Sequence, residues 1–160
     1  MKRLLVLGAG TAGTMAVNRL RQKLDQDEWQ ITVVDKTETH YYQPGFLFIP
    51  FGIYSARDVE RPRRDFLPPG VDVILSDVDV IEPERNRVKL TDGRTLDYDY
   101  LIIATGTHPR PDETPGLEGP AYGDTVHDFY TVGGALNLAE KLKSWDGGRM
   151  VVNTCLPTKV

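Results

Sequence analysis

Cysteine is nearly absent from this sequence, and long apolar runs are absent altogether. One cysteine in 160 residues cannot form an internal disulfide, which favours a reducing compartment. No stretch reaches the roughly 18 apolar residues that a membrane-spanning helix requires. The apolar start of the chain is interrupted by Gly8 and Gly10, so it does not have the pattern of a signal peptide or an anchor. We therefore expect a soluble, cytoplasmic protein.

The chain also lacks an excess of basic residues. It carries 19 Lys and Arg against 23 Asp and Glu, a net charge of −4. A nucleic-acid-binding protein would present a basic face, so we expect no nucleic-acid partner. His40, His108 and His127 do not have metal-ligand spacing with one another or with Cys155, so no metal site is expected. Hydrophobic residues at 40% and charged residues at 26% are typical of a globular domain.

The first 35 residues have the pattern of a strand, a helix and a second strand. Leu4 to Leu7 form a short apolar run without alternation, which is typical of a strand buried on both faces. From Ala12 to Leu24 the apolar residues recur at helical spacing, and Ile31 to Val34 repeat the buried-strand pattern before Asp35. This order predicts a parallel βαβ unit with a right-handed crossover.

The middle of the chain changes to alternating, β-branched segments. We predict a small antiparallel meander from Val71 to Val80, Arg87 to Leu90 and Arg94 to Tyr98. Tyr100 to Ala104 returns to the buried-strand pattern. The predicted fold class is therefore α/β, a Rossmann-like parallel sheet with an inserted antiparallel β-meander.

The last part of the chain starts a new unit. After a Pro- and Gly-rich surface excursion at 107–128, helical spacing predicts a helix over Ala135 to Trp145, and a strand is predicted over Met150 to Asn153. We therefore divide the chain into a first domain, 1–130, and a connecting helix and first strand of a second domain, 131–160. A domain seldom ends on its first strand, so we expect part of a longer protein.

Three glycines lie between the first predicted strand and its helix. Gly8 permits a tight turn, Gly10 lets a pyrophosphate approach the backbone, and Gly13 lets the helix pack close to the strand. The helix N-terminus then directs its free N–H groups at the phosphates. The whole G-x-G-x-x-G segment is assigned to this cradle: Gly8, Ala9, Gly10, Thr11, Ala12 and Gly13.

An acidic residue follows the second predicted strand at the spacing expected of a ribose ligand. Asp35 lies 22 residues after Gly13, and Lys36 beside it is assigned to the same cofactor site. A carboxylate accepts hydrogen bonds from ribose hydroxyls and repels a 2′-phosphate, which disfavours NADP. The alternative interpretation is a glycine-rich turn followed by a surface aspartate.

A later segment narrows the class of dinucleotide. The cradle, the meander and then YDYLIIATGTHPRP, residues 98–111, resemble the FAD half of the two-dinucleotide flavoprotein disulfide-reductase superfamily. The resemblance implies that Ala104, Thr105 and Gly106 lie against the flavin nucleotide and that the backbone around Val78 pairs with the adenine edge. A core strand that meets a loop is the alternative interpretation of LIIATG.

The aromatic stretch HYYQPGFLFIPFG, residues 40–52, narrows the resemblance further. It is similar to sulfide:quinone oxidoreductases and, less closely, to flavocytochrome c sulfide dehydrogenase and type II NADH dehydrogenases. The resemblance implies that His40, Tyr42 and Pro44 approach the flavin. Two alternatives remain: the aromatic residues fill the core beneath the cofactor, or residues 46–48 form an exposed apolar patch that meets quinone, membrane or a further domain.

The cysteine content departs from that family, which uses redox-active cysteines beside the flavin. When Leu156 to Lys159 are matched to the family pattern, Val160 occupies the position of the reactive cysteine. Cys155 lies five residues earlier, so the catalytic role is not transferred to it, and a structural cysteine is favoured over a reactive thiol. The catalytic residues are therefore unassigned.

One basic cluster needs a separate interpretation. It lies around a predicted turn, and we interpret it as a solvated face rather than an anion site. Its members are Arg57, Arg61, Arg63 and Arg64.

Taken with the resemblance, these motifs predict an FAD-dependent oxidoreductase of the sulfide:quinone type. It would pass two electrons from sulfide, or a related donor, through FAD to quinone, and this chain alone is expected to be inactive. The alternatives are a type II NADH:quinone dehydrogenase-like fragment and a non-catalytic nucleotide-binding module. Uncovered apolar surface predicts self-association into a homodimer, and the full-length protein is expected to lie peripherally at the inner face of the membrane.

Overall fold

The computed structural model describes residues 1–153 of the chain. Within these residues there are nine β-strands and three α-helices. In chain order they are β1 (Lys2–Leu7), α1 (Thr11–Arg21), β2 (Trp29–Asp35), β3 (Thr39–Tyr41), α2 (Ala56–Val59), β4 (Glu60–Pro62), β5 (Val71–Leu75), β6 (Val78–Glu82), β7 (Arg87–Leu90), β8 (Thr95–Asp97), β9 (Tyr100–Ile103) and α3 (Val132–Ser144). The α/β class predicted from the sequence is confirmed.

A parallel sheet with the strand order β5-β2-β1-β9 forms the centre of the fold. In its register, Leu4 of β1 lies opposite Ile31 of β2 on one side and Tyr100 of β9 on the other. The predicted βαβ unit is thus present, with α1 as the connection between two parallel strands. The carboxyl ends of β1, β2 and β9 meet at one edge of the sheet, which is where a ligand of an open α/β sheet is expected.

The predicted meander is confirmed in part. Strands β6, β7 and β8 form an antiparallel sheet in that order, but Val71–Leu75, which we predicted to belong to it, pairs with β2 in the parallel sheet. As the last strand at the edge of that sheet, β5 is only partly covered, and none of its five residues is fully buried. An alternating pattern is therefore compatible with an edge strand of either kind, which explains the error.

Both faces of the parallel sheet are covered, as the absence of alternation in β1 predicted. One face packs against α1, with a core of Leu4, Val6, Ala9, Val17, Ile31 and Val33. The opposite face packs against the meander, with a core of Leu5, Leu7, Val34, Val88, Leu90 and Tyr98. Burial of both faces fixes the register of β1, because a slip by one residue would exchange its two sets of side chains.

Helix α1 ends at Arg21, three residues before the end predicted from the apolar spacing. The side chain of Arg21 is buried and donates hydrogen bonds to the carbonyl oxygens of Leu24 and Trp29, the latter at 3.3 Å. These contacts satisfy one carbonyl group of the turn that follows the helix and one at the start of β2. Leu24 still packs against the α1-side core from this turn, which is why its spacing resembles that of a helical residue.

A third unit is built on the aromatic segment. Strands β3 and β4 pair as an antiparallel ribbon, and a 3-10 helix follows β3 over Gln43–Phe48. Helix α3 begins at Val132, with the Thr131 hydroxyl accepting a hydrogen bond from the Gly134 amide at 2.9 Å. Its Ala135 is buried with Phe46, Ile49 and Val59, so α3 packs against the aromatic segment.

The predicted strand over Met150 to Asn153 is wrong. Residues 148–153 adopt irregular structure, and Val151 and Val152 are 71% and 77% exposed. An apolar, β-branched run forms a strand only beside a neighbour that pairs with it, and the local pattern does not supply one. Residues 107–128 form the predicted excursion, with a short 3-10 turn at Pro111–Glu113. Among the described residues, no helix has the length and apolar character needed to cross a membrane.

Candidate functional site

Two of the three glycines in the loop between β1 and α1 lie where a side chain would overlap neighbouring backbone atoms. Gly8 has a φ of +92°, and a Cβ there would overlap the carbonyl oxygen of Ala104. A Cβ on Gly13 would overlap the carbonyl oxygen of Gly8. Gly10 is different, because a Cβ on it would meet no heavy atom within 4 Å in the described structure. Gly8 and Gly13 thus serve the close packing of loop, helix and β9, whereas Gly10 faces open space.

Helix α1 presents free backbone donors beside Gly10. Gly10 is the N-cap residue, and among the described residues no side chain caps this end of the helix. Its carbonyl oxygen accepts a hydrogen bond from the Thr14 amide at 3.0 Å, while Gly10, Thr11 and Ala12 are exposed. N–H groups of the first turn and the positive end of the helix dipole therefore face the open side of the loop, an arrangement that favours an anion such as a pyrophosphate.

Asp35 lies at the end of β2, directly beside this loop. Its Oδ2 accepts a hydrogen bond from the Ala9 amide at 2.7 Å, which brings the predicted ribose ligand next to the cradle. Its Oδ1 accepts from the Thr37 amide at 3.1 Å and from Arg63 Nη2 at 3.0 Å. The Asp35 side chain retains 14% exposure. Lys36, the next residue, is exposed.

Arg63 was not predicted to belong to the site. We interpreted the cluster of Arg57, Arg61, Arg63 and Arg64 as a solvated face, and this is wrong for Arg63, which is only 5% exposed while the other three are exposed. Its guanidinium pairs with Asp35 and also donates to the Ala9 carbonyl oxygen. No local pattern distinguishes Arg63 from its neighbours, because its burial results from tertiary packing against the glycine-rich loop.

The residues of the aromatic segment are connected to the loop through His40. The His40 Nδ1 atom lies 3.3 Å from the Ala9 carbonyl oxygen, and its ring lies 4.5 Å from that of Phe66. Tyr42 and Pro44 follow two and four residues later and are exposed, and the Tyr42 amide donates to the Val59 carbonyl oxygen at 2.8 Å. Of the three residues that the resemblance placed near the flavin, His40 thus contacts the cradle itself.

Residues Ala104 to Gly106 extend β9 toward the loop. The Ala104 amide donates to the Leu7 carbonyl oxygen at 2.7 Å, and its own carbonyl lies where a Cβ on Gly8 would sit. Thr105 and Gly106 are exposed beyond this contact, with Gly106 at a φ of +75°. The LIIATG segment therefore ends beside the glycine-rich loop and leaves its last two residues accessible.

Val78 is the first residue of β6 and follows the end of β5 by three residues. The chain reaches it from Ser76, whose amide donates to the Asp35 carbonyl oxygen at 3.0 Å. The Val78 side chain packs against the meander-side core, and its amide donates to Asp77 Oδ1 at 3.2 Å. Cys155 lies outside the described residues.

The chain matches one protein family over almost its whole length. The model of the pyridine nucleotide-disulphide oxidoreductase family matches residues 2–153. A mitochondrial sulfide:quinone oxidoreductase of Dictyostelium discoideum is 31% identical over 158 residues, which is 99% of this chain and 35% of that protein. A type II NADH:quinone oxidoreductase of Staphylococcus aureus is 32% identical over 119 residues, which is 74% of this chain and 29% of that protein. The chain thus spans about a third of the length of these relatives.

Solved structures agree with the fold. The sulfide:quinone oxidoreductase of Aquifex aeolicus superposes with a TM-score of 0.74 at 24% identity, covering 89% of this chain and 32% of that one. A chain of the putidaredoxin reductase–putidaredoxin complex superposes with a TM-score of 0.69 at 26% identity, covering 88% and 34%. The resemblance derived from the motifs is confirmed, and the chain belongs to the pyridine nucleotide-disulphide oxidoreductase family.

Proposed function

We propose that this chain binds FAD at the carboxyl edge of its parallel sheet, as part of an oxidoreductase of the sulfide:quinone type. The observation that carries the proposal is the open side of Gly10 at the uncapped N-terminus of α1, next to the Asp35 carboxylate. A dinucleotide requires this pair of features, since N–H donors bind its pyrophosphate and a carboxylate binds its ribose. The 31% identity to a sulfide:quinone oxidoreductase over 99% of the chain supports the same assignment.

The described residues fit such a group by their chemistry. The first turn of α1 offers backbone donors for the pyrophosphate, Asp35 offers an acceptor for the adenosine ribose, and the backbone around Val78 is proposed to pair with adenine. Thr105 and Gly106 are accessible beside the loop and are proposed to contact the flavin nucleotide, with Ala104 behind them. Lys36, Tyr42 and Pro44 complete the proposed site. Bound FAD supplies two-electron redox chemistry between sulfide, or a related donor, and a quinone.

We further propose a division of the chain into two domains and a set of partners for the complete protein. Residues 1–130 form the FAD-binding domain, and 131–160 begin a second dinucleotide-type domain. We expect neither sulfide oxidation nor quinone reduction from this chain alone. Small-molecule substrates are the proposed partners of the complete protein, which we expect to associate peripherally with a membrane and to form a homodimer.

A second candidate within the same class is a type II NADH:quinone oxidoreductase. The 32% identity over 119 residues to such an enzyme favours it, as does a chemistry that needs no cysteine pair. Identifying the electron donor distinguishes the two candidates. NADH would reduce the flavin of the complete protein if it is of the type II NADH:quinone type, and sulfide would reduce it if it is of the sulfide:quinone type. A third candidate, a nucleotide-binding module without catalysis, predicts binding with neither donor active.

The test begins with the visible spectrum of the purified chain and acid release of any bound nucleotide. Release of FAD from the purified chain, or binding of added FAD, supports the proposal. A folded chain that contains no FAD and does not bind added FAD contradicts it. Asp35→Ala then tests the ribose contact, and we expect FAD affinity to fall by about tenfold or more, the loss of one hydrogen bond to a charged group. Equal FAD affinity in a well-folded Asp35→Ala variant would remove Asp35 from the site.

A further inference from the structure

The guanidinium of Arg63 is buried at the base of the proposed cofactor site. Arg63 is 5% exposed, and it lies in a 3-10 helix, Arg63–Phe66, directly after β4. Burial of a cation is strongly unfavourable unless the group is paired and hydrogen-bonded. Arg63 meets this condition through a 3.0 Å ion pair with Asp35, whose side chain is 14% exposed. The buried charge of Arg63 is therefore balanced by the carboxylate of the proposed ribose ligand.

The hydrogen bonds of Arg63 join three separate segments of the chain. Nε donates to the Thr37 carbonyl oxygen at 2.8 Å, and Nη2 donates to the Thr39 carbonyl oxygen at 2.7 Å and to Asp35 Oδ1. Nη1 donates to the Ala9 carbonyl oxygen. One planar fork thus connects the glycine-rich loop, the end of β2, and the β2–β3 connection with the first residue of β3. The compact ammonium of a lysine cannot do this in the same geometry.

The Asp35 carboxylate is held almost completely by the protein. A carboxylate offers about four lone-pair positions, two on each oxygen. Oδ1 accepts from Arg63 and from the Thr37 amide, and Oδ2 accepts from the Ala9 amide. One position on Oδ2 is left in this arrangement. Arg63 and Thr37 thus hold Oδ1, so the remaining acceptor position belongs to Oδ2, the oxygen that also accepts from the Ala9 amide of the cradle.

We propose that Arg63 is the positioning residue of the nucleotide site, acting through Asp35 to set the preference for an adenosine with ribose hydroxyls. This inference rests on the proposed function, because it requires an adenine nucleotide at the cradle. Arg63 does not contact the nucleotide itself. Without its hydrogen bonds, the Asp35 carboxylate and the Ala9 peptide lose their common support, and the free lone pair of Oδ2 is no longer directed at the ligand.

The test compares ADP with 2′,3′-dideoxy-ADP by titration calorimetry on the whole chain. The wild-type chain is expected to prefer ADP by about tenfold, the value of one hydrogen bond to a charged acceptor. Asp35→Asn and Arg63→Met are both expected to reduce this preference to within about twofold of unity, with dideoxy-ADP affinity nearly unchanged. Arg64→Met, a change of the exposed neighbour, should keep the wild-type preference.

A residue that only supports the fold would lower the affinity for both nucleotides equally, and this result in Arg63→Met would overturn the inference. A wild-type preference retained in Arg63→Met would also overturn it, without affecting the proposed function. Arg63→Lys, which keeps the charge, is the second variant if Arg63→Met does not fold, and it is expected to lose the preference as well. Failure of every Arg63 variant to fold would assign the residue to the fold instead. A wild-type chain that binds neither FAD nor ADP would refute the proposed function itself.

Discussion

The glycine-rich loop is assigned two roles, close packing at Gly13 and phosphate binding at Gly10. Alanine substitutions at these two positions should affect the two roles separately. In Gly13→Ala, the new Cβ overlaps the Gly8 carbonyl oxygen, which is backbone and cannot rotate away. Helix α1 must then move away from β1. Overpacking of this kind costs about 3 kcal/mol at the upper end of its usual range, and the better helix propensity of alanine returns about 1 kcal/mol. We therefore expect a net destabilisation of about 2 kcal/mol.

Gly10→Ala should behave in the opposite way. Its Cβ meets no described heavy atom within 4 Å, and its φ of −69° suits alanine. The weaker N-cap preference of alanine and the smaller entropy of its unfolded chain offset each other to within about 0.5 kcal/mol. The added methyl group instead occupies the space proposed for the pyrophosphate. We expect ADP affinity to fall by about tenfold, or about 1.4 kcal/mol.

Urea denaturation followed by circular dichroism measures the first effect, and calorimetric titration with ADP measures the second. In thermal denaturation, the melting temperature of Gly13→Ala should fall by about 4–8 °C for a chain of this size. Gly133→Ala is the matched control, since Gly133 also lies in a helix and its Cβ would meet nothing within 4 Å of described structure. Wild-type stability in Gly13→Ala would refute the close helix–strand packing. Wild-type ADP affinity in Gly10→Ala would refute the assigned role of Gly10.

Three further predictions concern the core, the pH dependence and the apolar surface. Leu7→Ala, at a fully buried position of β1, should lower the free energy of unfolding by about 2–5 kcal/mol in urea denaturation, and a change below about 1 kcal/mol would contradict its place in the core. The Arg3 guanidinium, hydrogen-bonded to Asp99 at 3.2 Å, holds the pKa of that carboxyl below 3.8, its ordinary value. Because the pKa of Asp99 is lower in the folded state than in the unfolded state, the ionised carboxylate stabilises the fold above pH 3.8, and this stabilisation is lost as the pH falls below that value. Asp99→Asn should therefore flatten the dependence of the free energy of unfolding on pH in this range. An unchanged slope in that variant would contradict the Arg3–Asp99 pairing. Phe51 and Ile53 are 65% and 63% exposed, so replacing both with serine should weaken the proposed self-association in sedimentation equilibrium, and an unaltered monomer fraction would contradict their place in a dimer interface.

The parts of the molecule that the sequence predicted are those that depend on local pattern. The βαβ unit follows from the apolar run of β1, the spacing along α1 and the second run before Asp35, and its topology follows from short connections and handedness. Gly8 and Gly13 were predictable because their roles depend on the turn between two adjacent elements. The placement of Val71–Leu75 was not, since its alternation fits an edge strand of either sheet and only pairing with β2 decides between them.

Arg63 marks the limit of prediction from local pattern, and its chemistry explains why an arginine lies there. The loop conformation that brings Asp35 to the Ala9 amide also turns the carbonyl oxygens of Ala9, Thr37 and Thr39 toward one small buried volume. Carbonyl groups removed from water need donors, and Thr14 Oγ1, which donates to Ala9 at 2.9 Å, serves only one of the three. A guanidinium brings five donors in a single plane and a charge that matches Asp35, so one side chain satisfies all three carbonyls and the carboxylate. Arg63 lies 54 residues from Ala9 in the sequence. The requirement for donors explains why an arginine occupies this position, and no sequence periodicity indicates it.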